Sequence, residues 1–286
     1  MNIPFFLLTG LAQDQIPIFV SEHKIAGVIC DFSPLRISLS WVDNLKKNLP
    51  PDVPLAQVDG HNIVPCWVAS EKLEYAARTI RNKINNKLDE FLTEFPPLIK
   101  QKVDVKVKSP EIDWEKCYAS LKCDQSVKKV DWAVPGYEGG IKVLDDFIKA
   151  RLRIYEDERN DPNKNALSHL SPWYHFGQIS VQRCILEIKR NGSKYSKSVQ
   201  NYMEECIVRR ELAENFCFYQ PNYDNLEGAY EWAKQTLKDH EKDKRPHVYS
   251  LEELENFKTQ DKLWNAAQIQ MRGIFLKFFF YLNSFI

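Results

Sequence analysis

The sequence predicts an α/β domain built on a parallel sheet, followed by an all-helical domain. Strand-like and helix-like segments alternate up to about residue 75. From Gly140 onward, apolar residues recur at three- and four-residue spacing, which is typical of amphipathic helices. The 286 residues are 44% hydrophobic and 12% aromatic, which is enough for one large core or two smaller ones.

Two short apolar runs define the α/β part, which we assign to residues 1–75. Gly27–Cys30 predicts a buried strand, and Asp31–Arg36 predicts the turn that leads from it into a helix. Pro54–Asp59 predicts a second strand of the same kind. Because strands alternate with helices, we expect a parallel, Rossmann-like sheet with ligand sites at its strand ends. So few strands do not complete such a sheet, and we therefore expect an incomplete one.

Residues 76–134 are expected to form a connector, because they are rich in Lys, Pro and acidic residues and show no strong period. The basic stretch Thr79–Lys87 lies within it. A basic stretch of this kind could contact a phosphate backbone or form a solvated helix face, and we favour the second interpretation.

A helical domain is predicted over residues 135–271. Apolar residues follow a helical period in two stretches, namely Ile141, Leu144, Ile148 and Leu152, then Val181, Ile185 and Ile188. Further helices are expected near 198–219, 225–239 and 250–256. Residues 272–286 form a Phe-rich run without an amphipathic period. We expect a divergent tail there, and a buried segment rather than a membrane anchor.

Composition excludes some classes of site and partner. The 39 basic and 39 acidic side chains balance, so any nucleic-acid-binding face must be a local patch. The seven cysteines are odd in number and contain no Cys-x-x-Cys, which predicts a reduced, intracellular protein without a metal site. The apolar amino terminus lacks a basic region and a cleavage site, and no stretch is long enough to span a membrane.

The stretch Asn165–Ser180 carries the most specific signal. Ser168 and Ser171 precede Pro172 and an apolar run, where a helix would begin. A helix amino terminus presents unpaired N–H groups and the positive end of the helix dipole, and it therefore binds phosphate or pyrophosphate. For an isolated Ser-x-x-Ser-Pro, a pair of N-cap serines is the simpler interpretation. Three further features argue against that interpretation here, and they are Tyr155, the turn Pro135–Gly140 and the segment Glu204–Phe216.

In this order, these features resemble the flavin-binding helical domain of DNA photolyases, in particular the class II cyclobutane pyrimidine dimer photolyases. The resemblance runs from about Ile3 to Met271. It implies an all-α FAD-binding domain over 135–271 and repair of pyrimidine dimers in DNA by light and reduced FAD. It further implies a monomer that acts in the nucleus. Since the family's domains extend beyond both ends of this resemblance, we expect a chain truncated at both ends.

The resemblance also implies roles for individual residues. The family motif that holds the FAD pyrophosphate falls on Leu167, Ser168, Leu170 and Ser171, with Tyr155 twelve residues before Leu167. Leu167 replaces a threonine of the motif and can offer only its backbone. For Tyr155, the alternative is a half-buried tyrosine of the core.

Glu205 matches the glutamate that contacts the lesion, which photolyases flip out of the duplex. A carboxylic acid kept neutral by burial could donate a hydrogen bond to a thymine carbonyl. Arg209 would share a helix face with Glu205, where relatives have an aromatic residue, so an ordinary surface Glu–Arg pair is the alternative. Trp264 matches one member of the tryptophan relay that photoreduces the flavin, and its alternative is a core tryptophan.

Because the expected truncation removes part of the flavin pocket, we expect this chain to retain flavin weakly and to be a poor photolyase. Two other functions stay open at this point. One is a non-catalytic remnant that binds damaged DNA without flavin, and the other is a cryptochrome-like flavoprotein photoreceptor.

Overall fold

The computed structural model of the chain describes residues 3–100, 107–123 and 130–274. The chain divides into two compact units, each made of two stretches of sequence. Unit 1 comprises Met1–Gln125 and Val181–Tyr223, and unit 2 comprises Ser126–Ser180 and Asp224–Ile286. The domain boundaries expected at residues 75, 134 and 271 do not coincide with these units and stay predictions.

The described residues form two strands and fifteen α-helices. In chain order they are α1 (Ala12–His23), β1 (Val28–Asp31), α2 (Arg36–Asn48), β2 (Leu55–Val58), α3 (Cys66–Ala69), α4 (Ala77–Asn85), α5 (Leu88–Phe91), α6 (Trp114–Ala119), α7 (Tyr137–Asp146), α8 (Tyr155–Glu158), α9 (Ser171–His175), α10 (Val181–Asn191), α11 (Ser196–Met203), α12 (Arg210–Tyr219), α13 (Glu231–Asp239), α14 (Leu251–Glu255) and α15 (Lys262–Ile274). Two π-helical segments, Phe147–Arg151 and Glu204–Arg209, and three 3₁₀ segments, Leu152–Ile154, Ser193–Tyr195 and Leu226–Gly228, complete the list.

The two predicted strands are present and parallel, but the expectation that they are buried was wrong, because residues of both strands alternate between half-buried and exposed. β1 and β2 pair in parallel with Val28 opposite Leu55 and Asp31 opposite Val58. Within the described residues the sheet has two strands, and α2 connects them. A small parallel sheet together with mostly helical structure agrees with the predicted fold class at this level.

The core of unit 1 reaches into the segment that was expected to be a connector. Ile80 and Ile84 of α4 are completely buried, together with Ile185 of α10 and Ile207. The stretch Thr79–Lys87 thus has a buried apolar side, while its basic residues remain partly exposed. Its two isoleucines are one helical turn apart and face the core, while the basic residues between them form ion pairs described below.

Two adjacent glycines in unit 2 fix the start of α7. A Cβ on Gly139 would lie 1.9 Å from the carbonyl oxygen of Val134, and one on Gly140 would lie 3.0 Å from Cδ1 of Trp173. The indole N–H of Trp173 donates to the same Val134 oxygen at 3.0 Å. Trp173 belongs to α9, which begins at Ser171, so this close approach holds the helix that follows Ser168.

The helices expected near 198–219, 225–239 and 250–256 are present. None of the helices in the described ranges has the length and apolar character needed to cross a membrane. The first three residues of the predicted tail 272–286 belong to α15, and the rest of that prediction lies outside the described residues.

Candidate functional site

The turn before α9 contains both predicted serines. α9 begins at Ser171 with Pro172 in its first turn, and its N-cap residue is Leu170, which offers no side-chain cap. The interpretation of the serines as paired N-caps was therefore wrong. Instead, the Ser168 Oγ accepts a hydrogen bond from the backbone N–H of Leu170 at 3.4 Å. His169 between them lies in the left-handed region, with φ 60°, and so reverses the chain.

Burial distinguishes the residues of this turn. Ser168 is only 6% exposed and Leu170 is fully buried, whereas Leu167 and Ser171 are half-buried. Of the two serines, Ser171 is therefore the more accessible. Because α9 has five residues and Pro172 carries no N–H, its helix dipole is small and its first turn offers few donors. An anion at this turn would therefore be held mainly by hydroxyl groups and by individual N–H groups.

Tyr155 lies in the same unit and is 3% exposed. The edge of its ring contacts Phe147, with ring centroids 5.6 Å apart. The Arg159 guanidinium lies 5.7 Å from the Tyr155 ring centroid. Sequence reasoning did not single out Arg159, although its position one turn after Tyr155 was visible. The tyrosine thus has an apolar contact on one side and a positive charge nearby.

Glu205 and Arg209 lie in unit 1, on the π-helical segment Glu204–Arg209. A π-helix bonds residues five apart, so its side chains do not follow the α-helical spacing that the sequence analysis assumed. Here Arg209 Nε forms an ion pair at 3.3 Å with Glu204, which is five residues earlier. The assumed α-helical spacing was therefore wrong. Glu205 is half-buried, and Arg209 has a side chain 55% exposed.

Arg81 of α4 also binds Glu204 in the π-helical segment Glu204–Arg209. Its Nε and Nη2 donate to the two carboxylate oxygens of Glu204 at 3.0 and 2.7 Å. The hydrogen bond from Arg81 lowers the pKa of the Glu204 carboxyl, so Glu204 is ionised at neutral pH. Sequence reasoning missed this pair, since its members are 123 residues apart.

An open cavity of about 340 Å³ adjoins Glu204. Its lining comes from α4, α5, α11 and the π-helical segment, and consists of Asn85, Leu88, Gln200, Met203, Glu204, Ile207 and Val208. π-Helical turns within longer helices are frequent at functional sites. The segment that carries Glu205 therefore has both an irregular helix geometry and an adjoining space.

Trp264 lies in unit 2 on α15 and is 40% exposed. Its indole N–H donates to the Leu254 carbonyl oxygen at 3.4 Å. The alternative of a core tryptophan was therefore wrong. In the described ranges no group of His, Cys, Asp and Glu could hold a metal ion. The predicted flavin residues and Trp264 thus share unit 2, while Glu205 and Arg209 belong to unit 1.

Comparison with known proteins gives a consistent result. Residues 1–100 match the DNA photolyase family. A deoxyribodipyrimidine photo-lyase from Potorous tridactylus is 58% identical over 268 residues, which are 94% of this chain and 50% of that protein. One from Arabidopsis thaliana is 47% identical over 279 residues, which are 95% of this chain and 56% of that protein. The chain thus spans about half the length of the curated relatives it matches.

Solved structures agree at the level of the fold. A cryptochrome from Synechocystis sp. PCC6803 matches with a TM-score of 0.65 at 16% identity. The match covers 94% of this chain and 56% of the cryptochrome chain. A class III photolyase from Agrobacterium tumefaciens matches with a TM-score of 0.62 at 20% identity. That match covers 92% of this chain and 54% of the photolyase chain. The resemblance to DNA photolyases is confirmed, because this chain is similar to deoxyribodipyrimidine photo-lyases over nearly its whole length.

Proposed function

We propose that this chain supplies flavin-binding and lesion-binding parts of a photolyase that repairs cyclobutane pyrimidine dimers in DNA. The strongest support is its similarity to proteins named deoxyribodipyrimidine photo-lyase, which extends over 94% of the chain. In the proposal, residues 135–271 belong to an all-α FAD-binding domain, and the protein acts as a monomer on nuclear DNA. Reduced FAD, when bound and excited by light, supplies one electron to the dimer and takes it back after the ring opens.

The observation that carries the flavin part is the turn Leu167–Ser171. The turn places two hydroxyl groups at the start of α9, with Ser168 buried and Ser171 half-buried, and hydroxyl groups can donate hydrogen bonds to phosphate oxygens. Ser168, Ser171 and the backbone of Leu167 and Leu170 would hold the pyrophosphate. Tyr155 of the same unit would add a hydroxyl, and Arg159 would add a positive charge to balance the phosphates. The residues present therefore fit a diphosphate.

The lesion part rests on Glu205 and Arg209. Glu205 is half-buried, so part of the residue is exposed and part is screened from water. It would hydrogen-bond the dimer and stabilise the charge that the pyrimidine acquires with the electron. The exposed Arg209 would supply a positive charge for the DNA phosphates.

Two measurements on the purified full chain test this function. A visible absorption spectrum, recorded after incubation with FAD and removal of free cofactor, shows whether flavin is bound. Repair of a dimer-containing oligonucleotide is then measured under blue light and in the dark. We expect bound flavin and light-dependent repair. A colourless protein would contradict the flavin proposal and favour a non-catalytic remnant.

A cryptochrome-like photoreceptor is the second candidate, because the fold of this chain is similar to that of a cryptochrome as well as to that of a photolyase. The same repair assay distinguishes the two. Flavin binding without repair of the oligonucleotide would favour the photoreceptor, and the exposed Trp264 would then be the first tryptophan to test for light-driven flavin reduction.

A further inference from the structure

One face of α12 is polar, and it binds the backbone of the segment 61–74. Its members are four residues apart, at Glu211, Asn215 and Tyr219. The bonds are Ile63 N and Val64 N to Glu211 Oε1 (2.7 and 3.4 Å), Glu74 N to Asn215 Oδ1 (2.8 Å), Asn215 Nδ2 to the Lys72 oxygen (3.0 Å) and the Tyr219 hydroxyl to the Ser70 oxygen (2.7 Å). All of these residues belong to unit 1.

Glu211 differs from the other two members because it is a carboxylic acid. It is 2% exposed, and its second oxygen, Oε2, has no hydrogen-bond partner in the described part of the chain. Three other buried atoms in the described part of the chain also have no hydrogen-bond partner. They are Asn62 Oδ1 in the bound segment, and Arg210 Nη1 and Glu214 Oε2 on α12. A buried carboxylate with one oxygen lacking a donor is costly, because the charge has lost its hydration.

The surroundings of Glu211 combine acidic and basic groups. Arg210, Asp59 and Cys66 interact electrostatically with Glu211. The other titratable groups of the adjoining segment and of its own helix are His61, Glu71, Lys72, Glu74, Glu214, Cys217 and Tyr219. Arg210 donates to the His61 carbonyl oxygen at 2.8 Å, and Glu214 pairs with the His61 imidazole at 3.3 Å. Burial raises the pKa of the Glu211 carboxyl to about 8, although the N–H groups of Ile63 and Val64 oppose this shift.

We propose that Glu211 is a proton-dependent clasp, which holds the segment 61–64 on α12 as a neutral acid and releases it when the carboxyl loses its proton to solvent. The proton keeps Oε2 uncharged, while Oε1 continues to accept from the two backbone N–H groups. Since the pKa is raised in the folded protein, the stabilisation is complete below the ordinary value of 4.5 and is lost as the pH rises towards about 8.

Hydrogen exchange of the backbone amides of residues 61–64 in the full chain tests the clasp. Rates are measured from pH 5 to pH 9 and corrected for intrinsic exchange. We expect the opening constant to rise about tenfold per pH unit and to level off near the pKa of Glu211. The variant Glu211→Gln keeps the accepting oxygen and should show no such slope. The control Glu22→Gln, at an exposed position of α1, should retain the slope of the unmodified chain. Equal slopes in the unmodified chain and Glu211→Gln would overturn the proposal.

A second measurement needs no variant and therefore applies if Glu211→Gln fails to fold. Nuclear magnetic resonance of the chain labelled with ¹³C at its glutamate carboxyl groups follows each titration. We expect one glutamate to titrate near pH 8, well separated from the others. If every glutamate titrated below about pH 6, near the ordinary range for this side chain, the clasp would be ruled out.

Discussion

Ser168 and Ser171 differ in burial, and this difference determines what each can contribute to a bound anion. Ser168 is nearly inaccessible and hydrogen-bonds within its own turn, so it shapes the turn as well as offering a hydroxyl. Ser171 is half-buried at the first position of α9, where it can reach a ligand directly. The order of the serines was visible in the sequence. Their difference in burial was not, because it depends on the tertiary packing of the turn.

Glu205 is the residue on which proposed repair depends most. Glu205→Ala should lower the yield of dimer splitting about tenfold or more, because a hydrogen bond to a charged group contributes about 1.5–3 kcal/mol. Binding to undamaged DNA should change little, since phosphate contacts dominate non-specific affinity. Repair yield under blue light and affinity for an undamaged oligonucleotide are the two measurements.

The conservative variant Glu205→Gln serves as the matched control. Its amide can still donate a hydrogen bond, so it should recover part of the repair yield that Glu205→Ala loses. Unchanged repair in Glu205→Ala would remove the proposed role, and equal losses in repair and in undamaged-DNA binding would indicate a structural role instead.

At the scale of elements, the start of α7 shows how two small residues position α9. Gly139→Ala would place a methyl group 1.9 Å from the Val134 carbonyl oxygen, which is backbone and cannot swing away. Alanine favours helices by about 1 kcal/mol over glycine, but overpacking of this kind costs about 1–3 kcal/mol or more. We therefore expect net destabilisation, measured by chemical denaturation.

Gly27→Ala is the control for this prediction. The nearest atom to its added Cβ would be 3.5 Å away, which is an ordinary contact, so the variant should unfold at nearly the same denaturant concentration as the unmodified chain. Wild-type stability of Gly139→Ala would show that the turn can relax, and the close approach would then not position Trp173.

The sequence predicted elements better than their irregularities. The strands at 28–31 and 55–58 and the helices after residue 181 follow from local apolar patterns. The π-helical segment Glu204–Arg209 does not, because an α-helical and a π-helical turn share the same local composition. The Arg81–Glu204 ion pair was equally inaccessible, since it depends on a contact between residues 123 positions apart.

At the scale of the whole molecule, unit 1 joins residues 1–125 to residues 181–223. α12 supplies side chains that bind the backbone of the segment 61–74, so the helical half of the sequence completes the packing of the α/β half. Local sequence patterns suggested consecutive domains because they contain no information about such long-range contacts. The similarity to photolyases, in contrast, was evident from motifs that are contiguous in sequence.

Acid stability of unit 1 should depend on Glu74. Burial alone would raise the pKa of its carboxyl, but hydrogen bonds from Lys83 and Ser70 outweigh burial and lower the pKa to about 2. Because the folded pKa is lowered, this stabilisation is present above about pH 4.5 and is lost as the pH falls towards 2. Glu74→Gln should therefore unfold at a higher pH than the unmodified chain during acid titration, followed by circular dichroism.

Glu22→Gln, which removes a carboxylate at an exposed position of α1, is the control and should leave the acid transition in place. An acid transition at the same pH in Glu74→Gln and in the unmodified chain would show that the Glu74–Lys83 pair does not stabilise unit 1.

The central claim is that the turn Leu167–Ser171 binds the diphosphate of FAD. Its most direct test is equilibrium binding of FAD to the full chain and to the double variant Ser168→Ala, Ser171→Ala, with helical content checked by circular dichroism. We expect the Kd of the variant to be at least about a hundredfold higher, because two hydrogen bonds to a charged group are lost, each contributing about 1.5–3 kcal/mol. Equal flavin affinity in the two proteins, or no flavin binding by the unmodified chain, would contradict the claim.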